Sequence, residues 1–243
     1  MNTKTLFITL LAGLSLSFLA HAEPTVTTIA DGLCNPTSIS FSPEGELTVC
    51  DANGTVFVIG EDGEMTPYIT DFDTEYWKSD DSGEKWYRVG PLSAIWLGET
   101  LAVTDAGKGD GNEPVLFFDG PGKASDGQAT GTVGPTSDDE ADKGEGNLTG
   151  LSASADGKTI YVAGQGYDGK SWLLTVDVDE KQLVPAMSAD ENGIETNSPM
   201  DTLVKPDGNV LALYSGAGGE VDGLVVEWDA ETGKPVNQWN IPV

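Results

Sequence analysis

Two short stretches of this 243-residue chain place oxygen donors and aromatic rings at spacings that could do chemistry. The first is Asp105-Ala106-Gly107-Lys108-Gly109-Asp110-Gly111-Asn112-Glu113. Asp105, Asp110, Asn112 and Glu113 are hard oxygen ligands, and the interleaved glycines would let the backbone wrap a calcium ion. The spacing is not that of an EF-hand loop, and the plain alternative is a glycine-rich connection between two strands. The second is the near-palindrome Tyr76-Trp77-Lys78-Ser79-Asp80-Asp81-Ser82-Gly83-Glu84-Lys85-Trp86-Tyr87-Arg88. A turn at Asp81-Ser82 closed by Gly83 would pair Trp77 with Trp86 and Tyr76 with Tyr87. Rings presented in this way beside carboxylates suit a ligand: they stack on sugars or attract cations through the ring face. The alternative is a hairpin whose aromatics pack on the structure beside it.

Other chemistry is excluded by what is missing. The only histidine, His21, lies in an N-terminal address. Lys4 is its positive end, Leu6 to Leu19 its apolar run, and Ala20-His21-Ala22 its small-x-small cleavage site, so residues 1–22 read as a secretory signal peptide. The remaining chain, 23–243, has no histidine. That removes Ser-His-Asp and Cys-His catalysis and every histidine-ligated metal. A bound metal would have to be a hard cation such as calcium, held by oxygen. Forty acidic residues against twelve basic ones give a formal charge of −28. A surface of that sign repels nucleic acid and anionic lipid. No later segment is apolar for long enough to cross a bilayer as a helix. A small molecule, a glycan or a protein is left as partner, met in the periplasm or outside the cell. Gly107, Gly109 and Gly111 lead into a strand, not a helix N-terminus, which argues against a phosphate-binding loop. Export permits a disulfide, and the two cysteines, Cys34 and Cys50, are expected to form one if the chain bends enough to bring them together.

The elements that position these residues come from a repeat. Pro36, Pro91, Leu148 and Pro199 each begin a short apolar strand, and they lie 55, 57 and 51 residues apart. In each unit a second strand follows (Leu47-Thr48-Val49, Leu101-Ala102-Val103, Ile160-Tyr161-Val162, Val210-Leu211-Ala212-Leu213), reached in three units through Pro43-Glu44-Gly45, Asp156-Gly157 or Asp207-Gly208. A third strand and a weaker fourth complete the unit, the fourth being Met65 to Ile69, Gly131 to Val133, Leu183 to Met187 and Val236 to Ile241. Units of about fifty residues built from short strands predict an all-β propeller with four recognisable four-stranded blades. Thr25 to Ala30 has the character of a further strand, which would close a ring by pairing into the final blade. The last unit already has its own fourth strand, so two outcomes stay open: closure with four blades, or an incomplete arc of a larger ring.

The stretches Asn35 to Val49 and Leu148 to Val162 resemble the opening of NHL-type and SMP-30/gluconolactonase-like propeller repeats. The resemblance implies a propeller, usually of five or six blades, used by binding proteins and by lactonases. For the lactonases it further implies a divalent metal at the mouth of the central channel, held by asparagine and carboxylate side chains near the starts of the inner strands. The corresponding asparagine column reads Thr37, Leu92, Thr149 and Met200 in this chain. Asp201, one position later, and Asn147, somewhat earlier, are then the ligands from which such a site would be improvised. The function expected is an exported binding module, with metal-dependent hydrolysis of a lactone as the alternative.

Overall fold

Strands here begin and end where glycine lets the chain reverse. Gly45, Gly157 and Gly208 adopt φ of 88°, 69° and 92°, a left-handed region that costs a residue with a Cβ. Each donates its N–H back three residues, to Ser42, Ser154 and Lys205 respectively. The repeat read from the sequence is therefore a repeat of one turn followed by one hairpin.

The computed structural model describes residues 26–109, 111–136, 147–164, 171–196, 198–216 and 223–241, with Trp77 placed by its backbone. Four antiparallel sheets follow one another. The first holds β1 (Pro36–Phe41), β2 (Leu47–Asp51), β3 (Thr55–Ile59) and β4 (Met65–Thr70). A separate two-stranded hairpin, β5 (Glu75–Ser79) and β6 (Lys85–Val89), comes next. The second sheet holds β7 (Pro91–Leu97), β8 (Thr100–Asp105), β9 (Val115–Phe118) and, beyond the short β10 (Gly122–Lys123), β11 (Gly131–Val133). The third is β12 (Leu148–Ala153), β13 (Thr159–Gly164), β14 (Trp172–Asp177) and β15 (Gln182–Ser188). The fourth is β16 (Pro199–Val204), β17 (Val210–Tyr214), β18 (Leu224–Asp229) and β19 (Lys234–Asn240). β10 leaves its own sheet and pairs in parallel with β4, so the first sheet gains a fifth strand from the second unit. Nothing in the sequence announced that exchange, because a two-residue strand carries no periodicity.

The first strands of the four sheets, β1, β7, β12 and β16, pack one against the next in that order, and β16 does not pack back on β1. These are the blades of a β-propeller in an open arc. Of the proposed closing strand Thr25–Ala30, the described part 26–30 forms no strand, and Val26 is 90% exposed.

Three apolar seams hold the arc together. Cys50, Val56 and Ile69 of the first blade meet Ala94, Leu101, Val103, Leu116 and Phe118 of the second. Ala102, Val115 and Phe117, on the other face of the second blade, meet Leu151, Ile160, Val162, Leu174 and Val176 of the third. Tyr161, Ala163, Leu173 and Met187 then meet Val210, Ala212, Tyr214, Leu224, Val226 and Trp228 of the fourth. Each middle blade is buried on both faces, which is why its strands read as apolar runs rather than clean alternations.

The expected Cys34–Cys50 disulfide is not formed: both cysteines are free, Cys34 exposed and Cys50 buried. The β1–β2 register sets Ser38, not Cys34, beside Cys50. Cys34 lies ahead of β1, where its N–H is held by the Asp51 carboxylate at 2.7 Å, while Cys50 turns into the first seam. Burial pushes the Cys50 thiol up to about 12, so it is a small apolar side chain and not a nucleophile.

One charge is sealed into the last blade. Glu227 on β18 is 4% exposed and accepts hydrogen bonds from Lys205 Nζ, from Asn209 Nδ2 at 2.8 Å and from Asn237 Nδ2 at 2.8 Å. These donors hold its carboxyl down at about 2, against an ordinary 4.5. The unfolded chain takes up a proton in a range where the folded chain stays ionised. The group's stabilisation is therefore complete above pH 4.5 and disappears as the pH falls through about 2. Denaturant titrations across that window should show the wild type losing stability more steeply than Glu227→Gln; parallel pH profiles would contradict this role.

Candidate functional site

Every inner strand carries an irregularity at the same place. The register of β1 on β2 shifts between Pro36 and Ser38, that of β7 on β8 between Pro91 and Ala94, that of β12 on β13 between Leu148 and Gly150, and that of β16 on β17 between Pro199 and Asp201. Bulges re-aim side chains, and they recur beside active sites. The residues inside these shifts include Thr37, Leu92, Thr149 and Met200, the column from which a lactonase-type metal site would be drawn. Two of them are already engaged: Thr37 Oγ1 donates to the Pro91 carbonyl at 3.3 Å and Thr149 Oγ1 to the Pro199 carbonyl at 3.1 Å. The other two are apolar.

Asp201 is the only carboxylate on the four inner strands. Its Oδ1 accepts the Thr202 N–H at 2.8 Å, and burial raises its carboxyl above the usual range. The residue set against it from the neighbouring strand is Gly150, where an added Cβ would stand 2.4 Å from Asp201 Oδ1. Asn147 lies before β12, three residues earlier, and its Oδ1 is buried without a hydrogen-bond partner. Among the described residues no group of three or more His, Cys, Asp or Glu side chains gathers to hold a metal.

The aromatic hairpin forms, but in a different register from the one the palindrome suggested. Its turn has Gly83 at φ 83° donating to the Asp80 carbonyl, as expected. Tyr76 then faces Arg88, and Lys78 faces Tyr87, with shifts on either side of Lys78, so neither Trp77–Trp86 nor Tyr76–Tyr87 is a cross-strand pair. Opposite Tyr76 stands Arg88, the chain's one arginine. Its guanidinium lies 4.9 Å from the Tyr76 ring centroid, donates to the Tyr76 hydroxyl and reaches Asn53 Oδ1 in the first blade. That clamp takes one face of Tyr76 and ties the hairpin to the body. Trp86 is left 62% exposed, its ring edge-on to Tyr87 with centroids 5.9 Å apart.

The β8–β9 connection holds two of its expected ligands in the interior and not at the surface. Asp105 is fully buried and Glu113 nearly so; Asn112 is exposed, and Asp110 lies outside the described residues. Neither oxygen of Asp105 meets a hydrogen-bond donor, and Lys108 Nζ stands 3.8 Å from Oδ2 while pairing with Asp73. The connection is pressed against the loop leaving the first blade: a Cβ on Gly107 would fall 1.9 Å from the Asp73 carbonyl oxygen. Asp51, which ends β2 as Asp105 ends β8, shows what this position does when satisfied. Its carboxylate accepts the N–H groups of Cys34, Asn35 and Asn53, fastening the chain as it enters the first blade.

One concavity was missed in the sequence. A cavity of about 340 Å³ opens at the first seam, between the turn after β1, the turn after β3 and Trp96 of β7. Tyr68 and Trp96 form its aromatic wall, edge to face at 5.5 Å, and the Trp96 indole N–H is fixed on Thr48 Oγ1 at 2.9 Å. Glu44, Glu46, Asp62 and Glu64 rim it, with no basic residue in the lining. Burial, then Glu44 and other carboxylates nearby, raise the Tyr68 hydroxyl, which stays protonated. These residues lie in three separate sequence segments, and only the seam joins them.

No protein-family model and no curated protein matches the chain. Solved structures do. Hydrazine synthase from Kuenenia stuttgartiensis aligns with 90% of this chain at 20% identity and a TM-score of 0.56, and this chain spans about half (53%) of that one. The β-propeller domain of Cps50 (Swd1) from Myceliophteria thermophila aligns with 85% at 14% identity, TM-score 0.48, and is covered over 56% of its length. The likeness is one of fold.

Asp105 makes this site testable without a ligand. Burial, opposed by Lys108, lifts its carboxyl from 3.8 to about 6. Between these values the folded chain keeps a proton that the unfolded chain has released, so stability falls as the pH rises through the window and the loss is complete above about 6. Removing the charge should help most there. Asp105→Asn is expected to stabilise the chain at pH 8 by about 1–3 kcal/mol and to have little effect at pH 4. An equal gain at both pH values, or a loss at pH 8, would refute the cost of burying this charge.

Proposed function

We propose that this chain is an exported β-propeller interaction module that binds its ligand through side chains at the blade rims. The observation that carries this reading is the composition of the inner strands, where one carboxylate, Asp201, stands alone at positions a metal-dependent hydrolase of this architecture would fill with ligands. The recognition surface proposed is the β5–β6 hairpin. Trp86 offers an open indole face, the Arg88 clamp holds the hairpin still, and Asp81 and Glu84 flank it with hydrogen-bond acceptors. An exposed ring beside carboxylates suits a sugar, whose C–H face stacks while its hydroxyls donate. A glycan array should give signals with the wild type that Trp86→Ala removes, since an exposed ring can be truncated without disturbing the fold. Signals untouched by that change, or no signals at all, would count against the hairpin. Thermal unfolding with calcium and then EDTA covers the hydrolase alternative: a tight site would raise the midpoint, and turnover of a simple lactone would replace the binding reading with the enzymatic one.

A second reading is favoured by the seam cavity. Two fixed rings below four carboxylates form a pocket for an organic ammonium or guanidinium group, attracted by both the rim charge and the ring faces. Spermidine titrated calorimetrically should bind the wild type, and the paired change Glu44→Gln with Glu64→Gln should weaken it at least tenfold. The same weakening from Glu231→Gln, on the opposite end of the arc, would mean diffuse charge attraction and no pocket.

A further inference from the structure

The loops that follow the third strands of the third and fourth blades are built alike. After β14, Asp177 Oδ1 accepts the N–H groups of Asp179 and Glu180, and the Asp177 carbonyl accepts the Lys181 N–H at 2.8 Å. After β18, Asp229 does the same for Glu231, Thr232 and Gly233, the last at 2.9 Å. The residue that closes each loop is left-handed, with φ of 54° at Lys181 and 65° at Gly233. Glycine takes that conformation freely, whereas a residue with a Cβ adopts it at a cost. At Gly233 there is also no spare room, because an added Cβ would stand 3.1 Å from the Ala186 carbonyl oxygen of the preceding blade. At Lys181 the preceding blade leaves a cavity of about 240 Å³. A costly backbone conformation that carries a charged side chain to a cavity is an outlier of the kind that clusters at ligand sites.

The cavity lies at the second seam, and its lining carries one charge of each sign. Lys181 comes from the third blade, and Asp119, just beyond β9, comes from the second. Neither takes part in an ion pair among the described residues. Asp119 Oδ1 accepts the Thr100 hydroxyl at 2.7 Å, which orients the carboxylate and leaves Oδ2 without a donor among the described residues. Thr130 Oγ1 donates to the Phe117 carbonyl at 3.2 Å, so the hydroxyl has only acceptor capacity left for a ligand. Phe117 and Val178 add apolar surface to the same lining.

We propose that this second-seam cavity binds a free amino acid with an apolar side chain, its carboxylate on Lys181 and its ammonium on Asp119. The occupant follows from the lining. Asp119 Oδ2 and Thr130 Oγ1 are acceptors, which suits the three N–H groups of an ammonium, and Lys181 Nζ donates to the carboxylate. An anion without the ammonium gives Asp119 nothing and is repelled by a chain of charge −28. A cation without the carboxylate leaves Lys181 unanswered. A zwitterion satisfies both ends and adds no net charge. The volume is smaller than the about 300–1,000 Å³ of pockets for drug-sized ligands, which matches a ligand of this size. The first-seam cavity has no basic residue in its lining, so it lacks the carboxylate half of this recognition.

Calorimetric titration of the full chain with L-leucine at millimolar concentration tests this. Saturable binding is expected, weakened on the order of tenfold or more for leucinamide, which lacks the carboxylate, and for N-acetyl-leucine, which lacks the ammonium. Lys181→Gly gives the loop the residue that its fourth-blade counterpart uses. That variant should melt at or above the wild-type temperature and still lose on the order of tenfold or more in affinity for L-leucine. Asp119→Asn should weaken binding to a similar degree with unchanged circular dichroism. A wild type that shows no saturable heat overturns the proposal, as does one that binds N-acetyl-leucine or glucuronate as tightly as L-leucine. So does a Lys181→Gly chain that binds as the wild type does, or one that melts below it, because the lysine would then serve the turn and not a ligand.

Discussion

The structure depends on hydroxyl groups that stitch one inner strand to the next. The inner strands contribute apolar side chains such as Leu148 and Leu151 to the seams, and between these lie small polar residues. Those polar residues bond across to the next blade. Thr37 bonds the Pro91 carbonyl, Ser93 Oγ accepts the Leu151 N–H at 3.2 Å, Thr149 bonds the Pro199 carbonyl, and Ser152 and Thr202 share a hydrogen bond at 2.7 Å. Each joins a blade to the following one, and each satisfies a polar group that would be costly to bury alone. The arc's spacing is set here, and the apolar seams fill what this spacing leaves.

That arrangement also accounts for the character of the candidate sites. Where the inner-strand bulges aim side chains, threonine is occupied in holding strands, and leucine and methionine offer nothing to a metal. The aromatic and acidic groups that come together lie at the rims, where loops from successive blades meet. The aromatic hairpin and the acidic cavity are both products of the junction between the first and second blades. Asp105 stands at that junction as well, with the role of Asp51 but without its donors.

What could be read in the sequence followed the period of the local signal. Strand positions and turns recur at intervals near fifty residues with fixed glycines, so the four sheets were legible, down to weak members such as Gly131–Val133. The β4–β10 exchange was not, because two residues pairing in parallel leave no pattern. The hairpin's existence was legible from its palindrome, but its register was not, since symmetry cannot anticipate one arginine reaching for Tyr76 and Asn53. The disulfide failed for a related reason: two cysteines counted along the chain look close, while the register turns one into a seam and leaves the other ahead of the sheet. The wall of Tyr68 and Trp96 had no signal in one dimension, because its members belong to different blades.

The parallel exchange of β10 onto β4 gives the arc a polarity. The first blade is fastened to the second by main-chain hydrogen bonds between strands as well as by its seam. Among the described residues the last blade is fastened to the third by side chains, through the Tyr214 and Trp228 seam and the inner-strand hydroxyls. In a single chain the two ends therefore fray unequally. The fourth blade can detach as a cooperative unit with its own sheet intact, exposing its amides' neighbours before its amides. The first blade cannot leave without also unpicking part of the second.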